Sequence, residues 1–349
     1  MIYGANGYTG ELIAREAKRQ GKSLILAGRS EAKIAALGEE LQLPARVVPL
    51  TSLAEAAKAL DEISLVLNCA GPFSQTASLM MQACMAARAH YLDITGEIAV
   101  FEAAHRLDGQ AKAAGVMLCP GVGFDVVPTD CAALMLKRAL PDATRLALGF
   151  DMTAKNMSKG TAKTLVESLG KSGMVRRNGV LTEFPVGSGL RRIDFGRGER
   201  FAMPVPWGDV ATAYYTTGIP NITVYAPISP VQGAIVRLGG ALVAPLFRSA
   251  PVQEWLKSWV EKNVRGPDAA VRETNKCWIW GRAVNAGGER KTVRIVTLEG
   301  YALTVVAALA IADYVLAHPP PSGYCTPAAL MGADFILTLP GTSMLTSAQ

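Results

Sequence analysis

The chain has 349 residues, half of them hydrophobic and only 18% charged, which is the balance of a well-buried globular protein and excludes a disordered one. Its length allows two domains of ordinary size, each with its own core. The formal net charge of +6 comes from scattered Lys and Arg, with no basic run longer than pairs such as Arg176-Arg177 and Arg191-Arg192; this suits mild attraction of anionic ligands and speaks against a nucleic-acid surface.

The first 120 residues alternate strand and helix signals. Residues 1–3 make a minimal first strand, 8–20 a helix and 23–28 a strand. A helix capped by Ser30 runs to about residue 41, followed by a strand at 46–50 and a helix at 52–60. A buried strand at 63–68 ends in Ala70-Gly71-Pro72, and a helix covers 75–88. A strand at 90–94, a helix at 97–114 and a strand at 116–119 complete the set. Near-continuous apolar strands separated by helices predict an α/β, doubly wound parallel sheet covered on both faces.

Residues 121–130 form a Gly- and Pro-punctuated joint, followed by a helix at 131–139 in which Thr129 or Asp130 can act as cap. Beyond it the runs RLALGF, ITVYAP, CWIWGRAV and TVRIVTL alternate apolar and polar residues between tight turns, which predicts a largely antiparallel sheet with a few helices. Residues 301–316 read as a strongly apolar helix. The stretch 228–247 is apolar but carries Arg237 and is broken by Pro230, Gly239-Gly240 and Pro245, so its apolar lengths fall short of the roughly 20 residues a bilayer needs. Peripheral membrane contact through it stays open.

Six cysteines without a C-x-x-C pair and three widely separated histidines show no metal-ligand spacing, and a reducing, cytoplasmic setting is expected. No signal peptide is expected, because a glycine turn stands at Gly4; only three residues precede it, which leaves room for a native start upstream of Met1.

That turn, Gly4-Ala5-Asn6-Gly7-Tyr8-Thr9-Gly10, carries the strongest chemical signal. Between a strand and a helix, its glycines allow a tight bend and close approach of a pyrophosphate to the positive helix end, the mark of a Rossmann-type dinucleotide site. The spacing is G-x-x-G-x-x-G rather than G-x-G-x-x-G. At the end of the second strand an NAD site usually has Asp or Glu, whereas this chain has Gly28-Arg29-Ser30, with Lys33 one helical turn on. A guanidinium and a hydroxyl suit a 2′-phosphate, so NADP is expected over NAD. Ala70, Gly71 and Pro72 should run along the cofactor at the carboxyl end of the fourth strand.

Candidates for handling a proton are Asp125, Asp209 and Tyr214, each with a structural reading beside it. Asp125 serves equally well as an anchor of the joint. Pro206 to Asp209 and Thr212 to Thr217 suit either a cleft wall or a β-turn and strand. Asp93 and Glu97 are the acidic groups nearest the expected nicotinamide position; their structural readings are a loop anchor and a first-turn helix carboxylate. Ser158-Lys159-Gly160-Thr161 opens a helix that can hold a carboxylate or phosphate. No Tyr is followed four residues later by Lys, and neither a G-x-S-x-G elbow nor a P-loop lysine occurs.

GANGYTG, LAGRS, LNCAGPF, YLDITGE and PGVGFDVVPTD, in this order, resemble the saccharopine dehydrogenase-like oxidoreductases, and more closely their branch with trans-acting enoyl reductases. IDFG, PWGDVATAYYTTGIPNI, EGYALT and YCTPAALMGADFILTLPG extend the resemblance over nearly the whole chain. It implies a Rossmann domain at 1–125, an α+β substrate and dimerisation domain on a mixed sheet at 126–319, and a segment 320–349 returning to the first domain. NAD(P) binding through Gly4, Gly7, Gly10 and Arg29 is implied as well. The expected function is an NADP(H)-dependent reduction of a C=C or C=N bond in a rather apolar, acyl or lipid-like small molecule. The alternatives are a catalytically silent NADP(H)-binding sensor or membrane-associated partner, and a saccharopine dehydrogenase acting on an amino acid. A homodimer through the second domain is expected.

Overall fold

The computed structural model describes residues 1–153, 157–170, 172–233 and 246–345. The chain divides into two compact units, Met1–Val127 with Tyr301–Met331, and Pro128–Gly300 with Gly332–Gln349.

In the first unit six strands alternate with helices: β1 (Ile2–Tyr3), β2 (Leu26–Gly28), β3 (Ala45–Val47), β4 (Leu65–Asn68), β5 (His90–Asp93) and β6 (Met117–Cys119). All pairings are parallel, in the order β3-β2-β1-β4-β5-β6, with Gly323–Tyr324 added beside β6. The order reverses between β1 and β4, and ligands of such sheets lie outside the carboxyl ends of the strands at that point. β2, β4 and β6 are buried at every residue, as a sheet covered on both faces requires. Helix α1 (Tyr8–Arg19) buries Gly10, Ile13, Ala14 and Ala17, one apolar stripe at helical spacing. The remaining helices are α2 (Glu31–Leu41), α3 (Leu53–Ala59), α4 (Phe73–Ala87), α5 (Ile98–Arg106) and α6 (Asp108–Ala114). The single helix expected at 97–114 is thus two, joined at Leu107.

After α7 (Val127–Ala139), the second unit carries β7 (Ala143–Met152), α8 (Lys159–Ser168), β8 (Gly173–Arg177), β9 (Val180–Phe184), β10 (Arg191–Asp194), β11 (Glu199–Val205), α9 (Asp209–Thr217) and β12 (Asn221–Pro227). It continues with α10 (Ala250–Asn263), α11 (Ala269–Thr274), β13 (Lys276–Asn285) and β14 (Arg290–Leu298). The sheet runs β10-β11-β12-β7-β13-β14, with Ser343–Met344 beyond β14 and the β8–β9 hairpin attached to β12. Among the described residues only β12 and β7 pair in parallel in this sheet, which is therefore mixed and largely antiparallel. Alternation decides its two faces. Leu146, Leu148, Ile222, Val224, Ile279, Ala283, Val293 and Ile295 are buried on one side. A Cβ on Gly281 there would come within 2.8 Å of Leu136 on α7, so the helix rests directly on the strand. Ala147, Tyr225, Trp278, Trp280, Arg282 and Arg294 stand on the opposite side.

Two boundaries depart from the expected 1–125, 126–319 and 320–349. The apolar helix α12 (Gly300–Ala317) falls with the first unit from Tyr301 on. Its Tyr301 ring meets Tyr8 edge-on at 5.0 Å, Thr304 accepts the Phe124 amide at 3.0 Å, and Asp313 pairs with Lys22 at 2.7 Å. The C-terminal segment is divided: Gly323–Tyr324 extends the parallel sheet, whereas Ser343–Met344 pairs with β14. Among the described residues α12 alone is long and apolar enough to cross a membrane, and 44% of it is buried inside the protein. Of the stretch 228–247, residues 234–245 lie outside the described residues. All six cysteines are free.

Candidate cofactor and active site

The glycine turn is shaped by backbone contacts that a side chain would destroy. Gly4 has φ +77°, and a Cβ there would lie 2.8 Å from the Ala70 amide nitrogen. A Cβ on Gly10 would stand 2.3 Å from the Gly4 carbonyl oxygen. The Gly4 and Ala5 amides donate to Ala27 at 2.8 and 3.1 Å, fixing the turn to β2. Gly7 is the N-cap of α1 and brings no capping side chain, while Gly7, Tyr8 and Thr9 stay half-exposed. The first turn of α1 is therefore accessible to solvent, in the geometry that can receive an anion.

Asn6 lies against β2: a Cβ on Gly28 would sit 2.9 Å from its Oδ1. Arg29 is exposed, and Ser30 is the N-cap of α2 without a side-chain capping bond, which leaves its hydroxyl to a ligand. Burial raises the Tyr3 phenol's pKa while the nearby Arg29 guanidinium opposes it, placing Arg29 beside the end of β1. At the end of β4, the Thr76 hydroxyl donates to the Ala70 carbonyl at 2.6 Å, and the Ala70 amide donates to Asn68 at 3.0 Å. Pro72, after a cis peptide bond with Gly71, is the N-cap of α4. The cofactor residues named from sequence, Gly4 to Gly10, Arg29 and Ser30, and Ala70 to Pro72, thus follow the carboxyl ends of the three adjacent strands β1, β2 and β4. A cradle that a Cβ would fill, an open helix end and a guanidinium at β2 fit a phosphorylated dinucleotide, which when bound would supply or accept a hydride.

Asp93 and Glu97 have other tasks. Asp93 is fully buried and accepts the Tyr91 hydroxyl at 2.7 Å, the Thr95 amide at 3.0 Å and the Gly121 amide at 2.9 Å. It ties the loops after β5 and β6 together, which is the anchor reading. Burial pushes its carboxyl up to about 6, against these three donors. Glu97 does not serve its own helix's first turn. Its two oxygens accept the Phe73 and Ser74 amides at 2.9 and 2.8 Å, so it closes the N-terminus of α4 across the sheet edge. Replacement by Gln removes the charge from this clamp and is expected to cost about 1 kcal/mol in urea unfolding.

Asp125, in the loop after β6, lies half-buried against the main chain of the loop after β5: a Cβ on Gly96 would come within 2.9 Å of its Oδ2. Desolvation, then the Glu97 charge, pushes its carboxyl up to about 7. Gly121, at φ +82°, presses against Phe101, and Gly123 against Thr304, so the loop that bears Asp125 is tightly seated.

The other two proton-handling candidates belong to the second unit. Asp209 is fully buried in the first turn of α9, where the helix end favours a carboxylate. Tyr214, on the same helix, lies beneath Arg176, whose guanidinium carbon is 4.3 Å from the ring centre, and its hydroxyl would be 3.2 Å from a Cβ on Gly179. Arg176 is 4% exposed and donates to the Val210 and Gly179 carbonyls at 2.9 and 2.8 Å. Arg176 thus staples α9 to the β8–β9 hairpin, with Tyr214 packed beneath it, although in the sequence it is only one of a scattered basic pair. Thr129 and Asp130 do not cap α7, which begins at Val127; Asp130 accepts the Thr216 hydroxyl at 2.5 Å. Ser158 does cap α8, accepting the Thr161 amide at 3.2 Å. Among the described residues no group of His, Cys, Asp and Glu is arranged to hold a metal.

Comparison with known proteins agrees with this geometry. Residues 1–119 match the family model of the saccharopine dehydrogenase NADP binding domain. A putative trans-acting enoyl reductase of Mycobacterium tuberculosis is 32% identical over 147 residues, 40% of this chain and 35% of that protein. A lipid droplet localized protein of Caenorhabditis elegans is 29% identical over 155 residues, 40% of this chain and 36% of that one. The match therefore spans little more than a third of each relative's length. The fold is that of the apo saccharopine dehydrogenase (L-Glu forming) of Saccharomyces cerevisiae, with a TM-score of 0.63 at 11% identity, over 99% of both chains. Over residues 1–119 the first unit is thus similar to an NADP-binding domain of the saccharopine dehydrogenase type.

Proposed function

We propose, from an NADP-binding first unit of the saccharopine dehydrogenase type, that this chain is an NADP(H)-dependent oxidoreductase that reduces a C=C or C=N bond of a rather apolar, acyl or lipid-like substrate. The observation that carries the reading is the position of Asp125. Its carboxyl, pushed up to about 7 by desolvation, stands in the loop after β6, within the unit that carries the dinucleotide cradle. Reduction adds a hydride to one atom of the double bond and a proton to the other, and Asp125 is the group proposed to supply the proton. The trans-acting enoyl reductase relative supports the C=C option.

Arg29 is proposed to select the 2′-phosphate. Arg29→Ala should weaken NADPH binding about 10- to 100-fold, the loss of one charge-assisted pair, and leave NADH binding unchanged in a fluorescence titration. An equal loss for both cofactors would remove Arg29 from that role. Turnover of NADPH with enoyl and imine substrates then tests the reaction itself.

One observation favours a second reading, an NADP(H)-binding protein that acts by docking on an apolar surface. Trp255 and Trp259 on α10 are 65% and 51% exposed, beside a shallow apolar cavity lined by Leu165, Leu256 and Val260. Tight NADPH binding without turnover on any acceptor would favour this reading over the first.

A further inference from the structure

The face of the second unit's sheet opposite α7 gathers arginines that are far apart in sequence. The register sets Arg282 beside Thr292 and Trp280 beside Arg294, while Arg290 faces Val284 on the same side of the sheet. Arg191 stands on this side through the ladder β10–β11–β12–β7. Arg191 and Arg282 both lie over the Trp280 ring, each with its guanidinium carbon 5.4 Å from the centroid, and Arg191 also covers Tyr225 at 5.0 Å. Arg294 is paired with Asp194 at 3.3 Å. Among the described residues Arg191, Arg282 and Arg290 have no carboxylate within ion-pair distance. The four like charges act on one another: after desolvation, Arg191, Arg290 and Arg294 all hold the Arg282 guanidinium below its ordinary pKa.

We propose that this face is a docking surface for a second protein that presents an acidic segment, whose carboxylates enter between Arg191, Arg282, Arg290 and Arg294. Charge complementarity carries the choice of partner. Arg191 and Arg282, already held over the Trp280 ring, present forks for carboxylates with part of their side-chain freedom already lost. Incoming anions also relieve the mutual repulsion. Arg282, Arg290 and Arg294 stand on the neighbouring strands β13 and β14, and Arg191 reaches the same Trp280 ring, so four forks lie side by side, which fits several carboxylates on a chain rather than one small anion. A second copy of this chain fits poorly, because a two-fold contact on this face would set the same arginines against each other. A single-stranded nucleic acid would stack its bases on open rings, but Trp280 and Tyr225 are only 1% and 8% exposed.

The test uses the full chain and a fluorescent poly-L-glutamate of about 20 residues, followed by anisotropy at low and moderate salt. Arg191→Gln, Arg282→Gln and Arg290→Gln together should weaken binding at least tenfold. A control with the same net charge, carrying Lys58→Gln, Arg106→Gln and Lys262→Gln on other exposed sites, should lose less than twofold. Should the triple variant fail to fold, Arg290→Gln alone, at an exposed position, is expected to lose about threefold. Equal losses in test and control variants would overturn the proposal, as would tighter binding of a single-stranded oligonucleotide than of polyglutamate. A wild-type dimer that the arginine substitutions dissociate would likewise overturn it and assign the face to self-association.

Discussion

Gly10→Ala is expected to weaken NADPH binding about 10- to 100-fold while the protein still folds. The added methyl would stand 2.3 Å from the Gly4 carbonyl oxygen and 3.0 Å from the Ala5 Cα, far inside van der Waals contact. Both neighbours are backbone, and Gly4 is itself held against Ala70 and bonded to Ala27, so no flexible side chain can move aside. The turn must lift away from α1, at a cost of about 1–3 kcal/mol in stability. The same movement takes the open amides of the first turn out of line with a pyrophosphate. Binding is read by NADPH fluorescence and folding by thermal melting. The control is Gly109→Ala, in α6, where a Cβ meets nothing within 4 Å. Undiminished NADPH affinity in Gly10→Ala would mean that the dinucleotide does not lie on this turn.

The parts of the site that depend on one local stretch of chain were legible in the sequence. The glycine turn and the Arg29-Ser30 end of β2 each meet a backbone or charge requirement stated within a few residues. The buried Asp93 was also within reach, because a short acidic side chain at a strand end has few tasks besides anchoring loops. What escaped were pairings made by topology. Glu97 looks like a carboxylate for its own helix, but the parallel order β4-β5 brings the start of α4 closer to it. Residues 209–217 carry β-favouring Val, Thr and Tyr yet form a helix, because Arg176 on a distant strand bonds to its first turn and stacks on Tyr214. Charge looked scattered for the same reason. Arg191, Arg282, Arg290 and Arg294 become one cluster only through the register of β10 to β14. The divided C-terminal segment was equally out of reach, since two-residue strands carry no periodicity of their own.

Asp125→Asn carries the other large expected effect, on turnover and on the pH dependence of stability together. As proton donor, Asp125 works while protonated, so the wild-type reduction rate should fall as pH rises through about 7. The Asn variant should be slower by about 10²- to 10³-fold below that pH and lose this limb of the profile. Stability moves in the opposite sense. A carboxyl whose folded pKa lies above its unfolded value contributes stability that is fully present below about pH 4 and is lost as pH rises through about 7. The shift corresponds to a loss on the order of 4 kcal/mol across that window. Asn cannot ionise, so the variant should gain on the wild type steadily between pH 4 and 8 in urea unfolding. Asp93, pushed up to about 6, gives a slope of the same sign in both proteins and leaves the difference to Asp125. Glu97→Gln offers a further check, because removing that charge lowers the Asp125 pKa and should move the falling limb of the rate profile to lower pH. A variant that is more stable at pH 8 but turns over normally would leave Asp125 as a strained structural carboxyl and send the search for the proton donor to the second unit, where Asp209 is the buried carboxylate of α9.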